Sequence, residues 1–200
     1  MLLERFVNGR ARSNAYVCAP DQAGRSALIV DAGAGAGDKI IDLVAAESLT
    51  PEALVLTHGH PDHIWTARQL SDRFEIPAYI HARDLRWFLV RWPRPKRLRT
   101  ISGGRRLEAG RLAVDVLHTP GHSGGSVCFR LDDLLFSGDT VMSGTIGRTA
   151  FPGGSARALR ESIRAKLLPL PDDLQLLPGH GGKTTVGAER ELWARLTRGD

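Results

Sequence analysis

Three histidines and an aspartate lie within six residues of one another, directly after an apolar run at residues 53–57 that predicts a buried strand. Side chains at i and i+2 of an extended segment point the same way, so His58 and His60 can bind one metal ion. Asp62 and His63 follow a proline bend and can face a second ion. Capping of the next helix would explain Asp62 but would leave three adjacent histidines without a role. The segment therefore predicts a metal site at the carboxyl end of a strand.

Three further candidate ligands stand in glycine-containing turns downstream. His122 lies in Thr-Pro-Gly-His-Ser, Asp139 in Ser-Gly-Asp-Thr and His180 in Pro-Gly-His-Gly. Glycine permits a sharp bend that can aim a side chain inward, and a carboxylate has two oxygens able to bridge two ions. We therefore expect two divalent metal ions that activate one water between them. Zinc is the expected metal, although nitrogen and oxygen ligands suit iron and manganese as well.

Each expected ion has its own ligands and shares Asp139, which would bridge the pair. The ligands predicted for the first ion are His58, His60 and His122. Those predicted for the second ion are Asp62, His63 and His180. Each ion then keeps a position open for substrate, and Asp62 and Asp139 are the candidate catalytic carboxylates.

The predicted elements alternate between strand and helix in both halves of the chain. Apolar runs bounded by turn residues predict strands at residues 14–19, 26–30, 53–57, 78–80, 112–117, 126–131, 134–137 and 174–177. Helical spacing predicts a helix capped by Asp38, a helix capped by Ser155, and helices at 64–73, 83–90 and 186–196. Residues 93–100, rich in proline and arginine, are predicted to be an exposed loop. This order favours an α/β sandwich with helix, sheet, sheet and helix layers over a doubly wound sheet.

Composition and length agree with one globular domain over residues 1–200, since 42% of the residues are hydrophobic and 24% are charged. No run approaches the roughly 18 apolar residues of a membrane span, and the N-terminus has charges where a signal peptide would be apolar. We therefore expect a cytoplasmic protein that does not contact a membrane. Cys18 and Cys128 lie far apart in apolar runs, which favours buried free thiols over a disulfide.

The net charge is +5, and nine basic residues fall between Arg83 and Arg106. Such a surplus can attract nucleic acid or an anionic substrate. It has neither the interleaved aromatic platform nor a recognisable module of a nucleic-acid reader, so an ordinary solvated face is the preferred interpretation. Trp87, Phe88 and Trp92 lie nearby and keep the alternative open.

Taken in order, these motifs resemble the metallo-β-lactamase superfamily, and most closely its glyoxalase II-type, or hydroxyacylglutathione hydrolase-like, branch. The resemblance covers nearly the whole chain and implies a four-layer αββα sandwich, with two mixed sheets flanked by helices. The stretches that carry it are Asp31-Ala-Gly33, the segment from His58 to His63, Pro120-Gly-His122, Ser137-Gly-Asp-Thr140, Gly147-Arg-Thr149, Phe151-Pro-Gly-Gly154, Pro178-Gly-His-Gly181 and Thr184-Thr-Val-Gly-Ala-Glu189.

The resemblance also implies roles outside the ligand set. Asp31 would fix a ligand imidazole by a hydrogen bond, although a strand-ending turn residue explains it equally simply. Arg148 matches a basic position near the thiol part of the substrate in glyoxalase II, with an ordinary surface arginine as the alternative. His81 and His118 match positions that are commonly histidine without being ligands, so we expect structural roles for them.

The activity implied is hydrolysis of a small-molecule thioester, an acyl conjugate of a low-molecular-weight thiol. Glutathione specificity is in doubt, because Ala150 replaces a usual acidic residue and only twenty residues follow His180. Asp139 stands where true β-lactamases of the fold usually have cysteine or serine, which disfavours antibiotic hydrolysis. Two alternatives stay open: a persulfide dioxygenase with one iron at positions like His58, His122 and Asp139, and a basic RNA- or phosphodiester-directed protein.

Overall fold

Two mixed sheets pack face to face in the computed structural model, which describes residues 1–21, 24–90 and 92–198 and contains six strands in each of these sheets. In the first sheet, β1 to β3 pair antiparallel and β3 to β6 pair parallel. Its strands follow chain order, from edge to edge: β1 (Leu2–Asn8), β2 (Ser13–Ala19), β3 (Ser26–Val30), β4 (Thr50–Val55), β5 (Ala78–His81) and β6 (Leu98–Ile101).

The strands of the second sheet do not follow chain order from edge to edge, because the two that come last in the sequence add to the edge of an earlier hairpin. In this sheet only the pairing between β10 and β13 is parallel. From edge to edge it contains β14 (Thr184–Thr185), β13 (Gln175–Pro178), β10 (Leu134–Gly138), β9 (Val127–Leu131), β8 (Leu112–His118) and β7 (Arg105–Ala109). A small separate hairpin is formed by β11 (Val141–Met142) and β12 (Thr145–Ile146).

Helices cover the outer faces of both sheets. Those connected with the first sheet are α1 (Ala36–Ala46), α2 (Pro61–Ile64), α3 (Ala67–Phe74) and α4 (Arg86–Val90), the last preceded by a 3-10 turn at Ala82–Asp84. The second sheet carries α5 (Ala156–Ser162), which continues as a π-helical turn at Ile163–Leu167, and α6 (Val186–Leu196). None of the helices in the described ranges has the length and apolarity needed to cross a membrane.

Alternation along buried strands shows the four layers directly. Ala27 and Ile29 of β3 belong to the apolar core under the first set of helices, whereas Leu28 and Val30 belong to the core between the sheets. Successive side chains of a strand point to opposite faces, so a strand covered on both sides reads as a continuous apolar run. The second sheet repeats this pattern toward α5 and α6. The expected αββα sandwich of two mixed sheets is confirmed.

The strands that the sequence did not predict all lie at sheet edges: β1, β6, β7, β14 and the two strands of the separate hairpin, β11 and β12. Edge strands expose one side to water and tolerate charges, so they have little apolar signal. The prediction of a loop over 93–100 was therefore wrong at its end, where β6 pairs parallel with β5. All the basic residues between Arg83 and Arg106 that the structure describes are exposed; Arg91 lies outside the described residues.

Three helix predictions also need correction. Gly35 occupies the N-cap of α1, and Asp38 lies within the first turn, where it accepts a hydrogen bond from Gln69 at 2.7 Å. The helix predicted over 64–73 is divided into α2 and α3, because Thr66 turns back to the carbonyl oxygens of Ala32 and Gly33. The helix predicted over 83–90 begins as the 3-10 turn. Ser155 does cap its helix, and both cysteines are buried and free.

The layer under α5 and α6 yields a stability prediction. Trp193 of α6 is fully buried in this apolar core, so Trp193→Ala should lower the free energy of unfolding by about 3–5 kcal/mol through lost contacts and a cavity. Denaturant unfolding would measure the change. Trp65→Ala is the control, because that side chain is 57% exposed, and it should cost less than about 1 kcal/mol. Equal losses in the two variants would contradict the assigned packing.

Candidate metal centre

All seven predicted ligands meet where strands of both sheets end. His58 follows β4, Asp139 follows β10 and His180 follows β13. Backbone hydrogen bonds tie these ends together: Asn14 donates to the Gly179 carbonyl oxygen at 2.7 Å, and Gly179 donates to that of Gly138 at 2.8 Å. The pairing of these strand ends therefore brings the predicted ligands together.

Among the described residues, three groups of three ligand atoms have their atoms within 4.8 Å of one another. Two of them coincide with the sets assigned from the sequence: the first triad, His58, His60 and His122, and the second triad, Asp62, His63 and His180. The third group, His58, His63 and Asp139, joins the two triads. Asp139 lies between them, with Oδ2 at 3.4 Å from His122 Nε2 and 3.5 Å from His180 Nε2. This is the position that a bridging carboxylate requires.

Unpaired buried atoms indicate that this donor set suits metal. His58 Nε2, His60 Nε2 and Asp139 Oδ1 are buried and have no hydrogen-bond partner among the residues that the structure describes. A buried polar atom without a partner costs about 1–3 kcal/mol, and a metal ion would remove that cost. Three such atoms in one cluster of imidazoles and carboxylates fit divalent metal.

The second triad binds protons tightly in the metal-free protein. Burial opposes the charged form of His63, but Asp139, Asp31 and Asp62 outweigh it and raise the pKa of this imidazole to about 9. Hydrogen bonds to Asp139 and Asp62 raise the pKa of His180 to about 10. Burial by itself would raise the pKa of Asp139, yet His63 and His180 hold that pKa well below its usual range. The metal-free centre is thus held together by charge pairs.

Two histidines of the first triad, His58 and His60, behave differently because burial opposes their charged form and neighbouring imidazoles add to that effect. Burial lowers the pKa of His58 well below its ordinary value, and the imidazoles of His63 and His122 lower it further. Burial, followed by His122, lowers the pKa of His60 to about 4. Neutral imidazole is the form that binds metal, so these side chains are ready to act as ligands at neutral pH.

Outer hydrogen bonds hold the ligand rings in place. Asp31 interacts with His63 Nδ1 at 2.8 Å and accepts bonds from the backbone N–H and the hydroxyl of Thr57, both at 2.8 Å. The expected contact between Asp31 and a ligand imidazole is therefore present. Asp31 also has a φ of 60°, so it is at the same time a strand-ending turn residue. His122 Nδ1 lies 2.7 Å from the carbonyl oxygen of Arg148.

Asp84 is a further residue of the centre that the sequence did not reveal. Its buried carboxylate accepts hydrogen bonds from Gly59 N at 2.9 Å, Gly125 N at 3.0 Å and Ser123 Oγ at 2.6 Å. One side chain thereby fixes the loop between His58 and His60 and the loop after His122. A carboxylate shortly after a buried strand was the available signal, but nothing local connected it with the ligands.

Glycine is required at position 179 because neighbouring side chains approach its Cα closely. A Cβ atom at this position would collide with Asp139 Oδ1 and with the His63 ring. His81 and His118 lie outside the ligand triads and stack on each other, with ring centroids 4.0 Å apart and planes 11° apart. His81 Nδ1 accepts a hydrogen bond from Arg83 N, and His118 Nε2 lies 3.1 Å from the carbonyl oxygen of Gly124.

An open cleft of about 780 Å³ lies over the centre. Asp62, Asp139 and His180 form part of its floor, and its walls are largely apolar. Arg148 is exposed and lines the cleft, and its contact with the thiol part of a substrate stays a prediction. The wall side chains include Trp87, Met142, Ile146, Phe151 and Pro152.

Fold and centre together define a class of protein, an αββα sandwich with clusters of His and Asp side chains at the ends of its strands that are able to hold a metal ion. A model of the metallo-beta-lactamase superfamily matches residues 8–180, and the chain belongs to this superfamily.

Several relatives align over most of their length. A Mycobacterium leprae protein of no assigned function is 42% identical, with 96% of this chain and 97% of the relative covered. The probable metallo-hydrolase YqgX of Bacillus subtilis is 35% identical, covering 96% and 95%. The hydroxyacylglutathione hydrolase GloC of Haemophilus influenzae is 33% identical, covering 83% and 85%.

Solved structures show the same fold. The BLEG-1 B3 metallo-beta-lactamase superposes with a TM-score of 0.86 at 34% identity, covering 98% of this chain and all of that chain. ETHE1 from Myxococcus xanthus gives a TM-score of 0.85 at 26% identity, covering 100% and 86%. TTHA1623 in a di-iron-bound form gives 0.79 at 33% identity, covering 93% and 96%.

Zinc uptake should release protons. At pH 7.5 the raised pKa values of His63 and His180, about 9 and about 10, keep both imidazoles protonated in the metal-free protein. Only neutral imidazole binds metal, so loading should release about two protons per chain. A rise in pH toward 10 removes these competing protons, so zinc affinity increases while proton release falls. Calorimetry in two buffers of different ionisation enthalpy measures the release; no release at pH 7.5 would contradict the assignment.

Asp84 should control metal affinity without touching metal. Asp84→Asn places an amide NH2 or a weaker oxygen acceptor against donors that now bond to a carboxylate, so zinc affinity should fall about 10–100-fold. Chelator competition measures the affinity, and circular dichroism of the metal-free variant checks folding. Asp173→Asn is the matched control, since that residue is exposed, and it should bind zinc normally. A folded Asp84→Asn variant with unchanged affinity would refute this role.

Proposed function

We propose that this protein hydrolyses thioesters, acyl conjugates of a low-molecular-weight thiol, with two divalent metal ions held by the two triads. The observation that carries the proposal is the position of the preformed ligand set at the floor of an open, largely apolar cleft. Such a cleft admits a small molecule and brings its carbonyl group beside the ligands. The similarity to GloC supports the thioester, and the similarity to the di-iron-bound TTHA1623 supports two metal positions.

We assign His58, His60 and His122 to one ion, Asp62, His63 and His180 to the other, and Asp139 to both. When bound, the ions would supply an activated water and a Lewis acid for the carbonyl oxygen. Zinc is the expected metal, with iron or manganese able to use the same ligands. A cytoplasmic location remains a prediction from the sequence.

The protein's own residues orient the reaction. Asp31 holds the His63 ring, and Asp84 holds the two loops that carry the first triad. Asp62 lines the cleft, where Oδ2 can orient the attacking water by accepting a hydrogen bond from it. Arg148 stands on the cleft wall, where it can contact the thiol part of the substrate.

The departure of the leaving group needs no strong general acid. Water oxygen adds to the carbonyl carbon, the carbon–sulfur bond breaks, and the sulfur leaves with the bonding electrons as a thiolate. Of the two water protons, one passes to solvent and one to the departed thiolate, so the products are a carboxylate and a thiol. A thiol has a pKa of about 8.5, so its thiolate departs at neutral pH without prior protonation. This agrees with the described cleft lining, whose titratable residues are the ligands and Arg148.

The test is a panel of thioesters assayed on protein whose metals have been quantified. Wild type should contain about two metal ions per chain and hydrolyse members of the panel. Asp139→Asn keeps the side-chain shape but removes the charge and one good ligand oxygen, so turnover should fall about 100-fold or more, with loss of at least one ion. His118→Ala is the control, and it should retain both metals and most of the activity because His118 lies outside both triads.

Other results would replace the proposal. An Asp139→Asn variant with two metals and near-normal turnover would refute the bridging role. One tightly bound iron, no second ion after supplementation, and oxygen consumption with a persulfide would identify the dioxygenase alternative. Hydrolysis of a β-lactam without thioesterase activity would favour the chemistry named for BLEG-1.

A further inference from the structure

A second groove opens beside the catalytic cleft. It has a volume of about 450 Å³ and shares Ala11 and His180 with the cleft, so the two spaces meet at one of the predicted ligands. We call it the hairpin groove, because much of it is formed by β1, β2 and the turn between them. Its lining residues are Arg5, Val7, Ala11, Arg12, Asn14, His180, Gly181 and Gly182.

The hairpin groove is positively charged and contains no acidic residue among the lining residues that the structure describes. Arg12 is exposed, and its guanidinium has no ion pair or hydrogen bond with any described residue. Arg5 donates from Nη1 to the carbonyl oxygen of Gly181 at 2.7 Å and keeps its other donors free of described partners. Two guanidinium groups with unused donors therefore face one space beside His180.

The backbone at Arg12 is also unusual. Its φ is 55°, a left-handed conformation in which glycine or asparagine would be the ordinary choice for a tight turn. Turn formation alone therefore does not account for an arginine at this position. Guanidinium groups present a planar set of donors that matches the oxygens of a carboxylate or phosphate.

We propose that the hairpin groove, which Arg148 does not line, binds a carboxylate or phosphate group of the substrate through Arg12 and Arg5. This rests on the proposed thioesterase function and narrows it. The preferred thioesters carry an anionic group that extends past His180 into the hairpin groove, while the rest of the molecule occupies the largely apolar cleft.

The test compares matched thioesters on the metal-loaded enzyme. Butyryl and succinyl thioesters of N-acetylcysteamine differ by a carboxylate on the acyl half, and the same acyl groups on 3-mercaptopropionate place a carboxylate on the thiol half. Charged hydrogen bonds predict that wild type prefers one anionic series over its neutral counterpart by about tenfold or more in kcat/KM. Arg12→Ala should abolish this preference by lowering kcat/KM for the anionic thioester to near that of the neutral one.

Arg10→Ala is the matched control, since Arg10 is an exposed arginine of the same turn that does not line the hairpin groove. It should keep the wild-type preference, and Arg12→Lys should keep part of it. Calorimetric binding of succinate and of inorganic phosphate to the same proteins gives a readout independent of turnover, and it should weaken in Arg12→Ala, less in Arg12→Lys and not in Arg10→Ala.

The outcomes separate the two proposals. A preference that depends on Arg12 supports the hairpin groove, and the series that shows it tells whether the charge belongs to the acyl or the thiol half. Thioester hydrolysis with equal preference in wild type and Arg12→Ala overturns the groove and leaves the function standing. Absence of all thioester hydrolysis, with anion binding that still depends on Arg12, overturns the function and leaves the groove standing.

Discussion

The buried carboxylate of Asp139 sets the central constraint of this structure. Transfer of a charged carboxylate into a protein interior is unfavourable unless opposite charges surround it. His63 and His180 supply them, and they hold the pKa of Asp139 well below its usual range although burial acts in the opposite direction. These rings must therefore stay within a few ångströms of Asp139, and the neighbouring backbone has to keep them there.

Both sheets contribute to that task. Val127 donates from its backbone N–H to the Thr57 carbonyl oxygen at 2.8 Å, and Ala32 donates to that of His63 at 2.7 Å. Asp84 adds contacts to two ligand loops at once. A site held in this way on strand ends needs little rearrangement to accept metal, which is the condition for a precise catalytic geometry. Gly179 completes it, because a larger residue would push Asp139 and His63 apart.

The sequence predicted the features that depend on local pattern. Ligands such as His58 and Asp139 stand in short motifs beside apolar runs, so their convergence and the layered fold followed from strand direction. Edge strands such as β1 and β7 were missed, because their composition is set by exposure on one side. Asp84 and Arg12 were missed for another reason: Asp84 bonds to residues distant in sequence, Arg12 lines a groove with the distant His180, and only the folded topology brings them near the centre.

Charge links the centre to the surrounding arginines. In the metal-free protein two protonated imidazoles balance the carboxylates, and replacement of those protons by two divalent ions would leave the site more positive. Thioester hydrolysis at neutral pH produces a carboxylate, so a positive centre favours the product and slows its release. Arg12 and Arg148 lie in the two open spaces that meet at His180, each without an ion-pair partner among the described residues. Under the proposed function, they place a guanidinium in each space, where it can donate charged hydrogen bonds to an anionic group of the substrate.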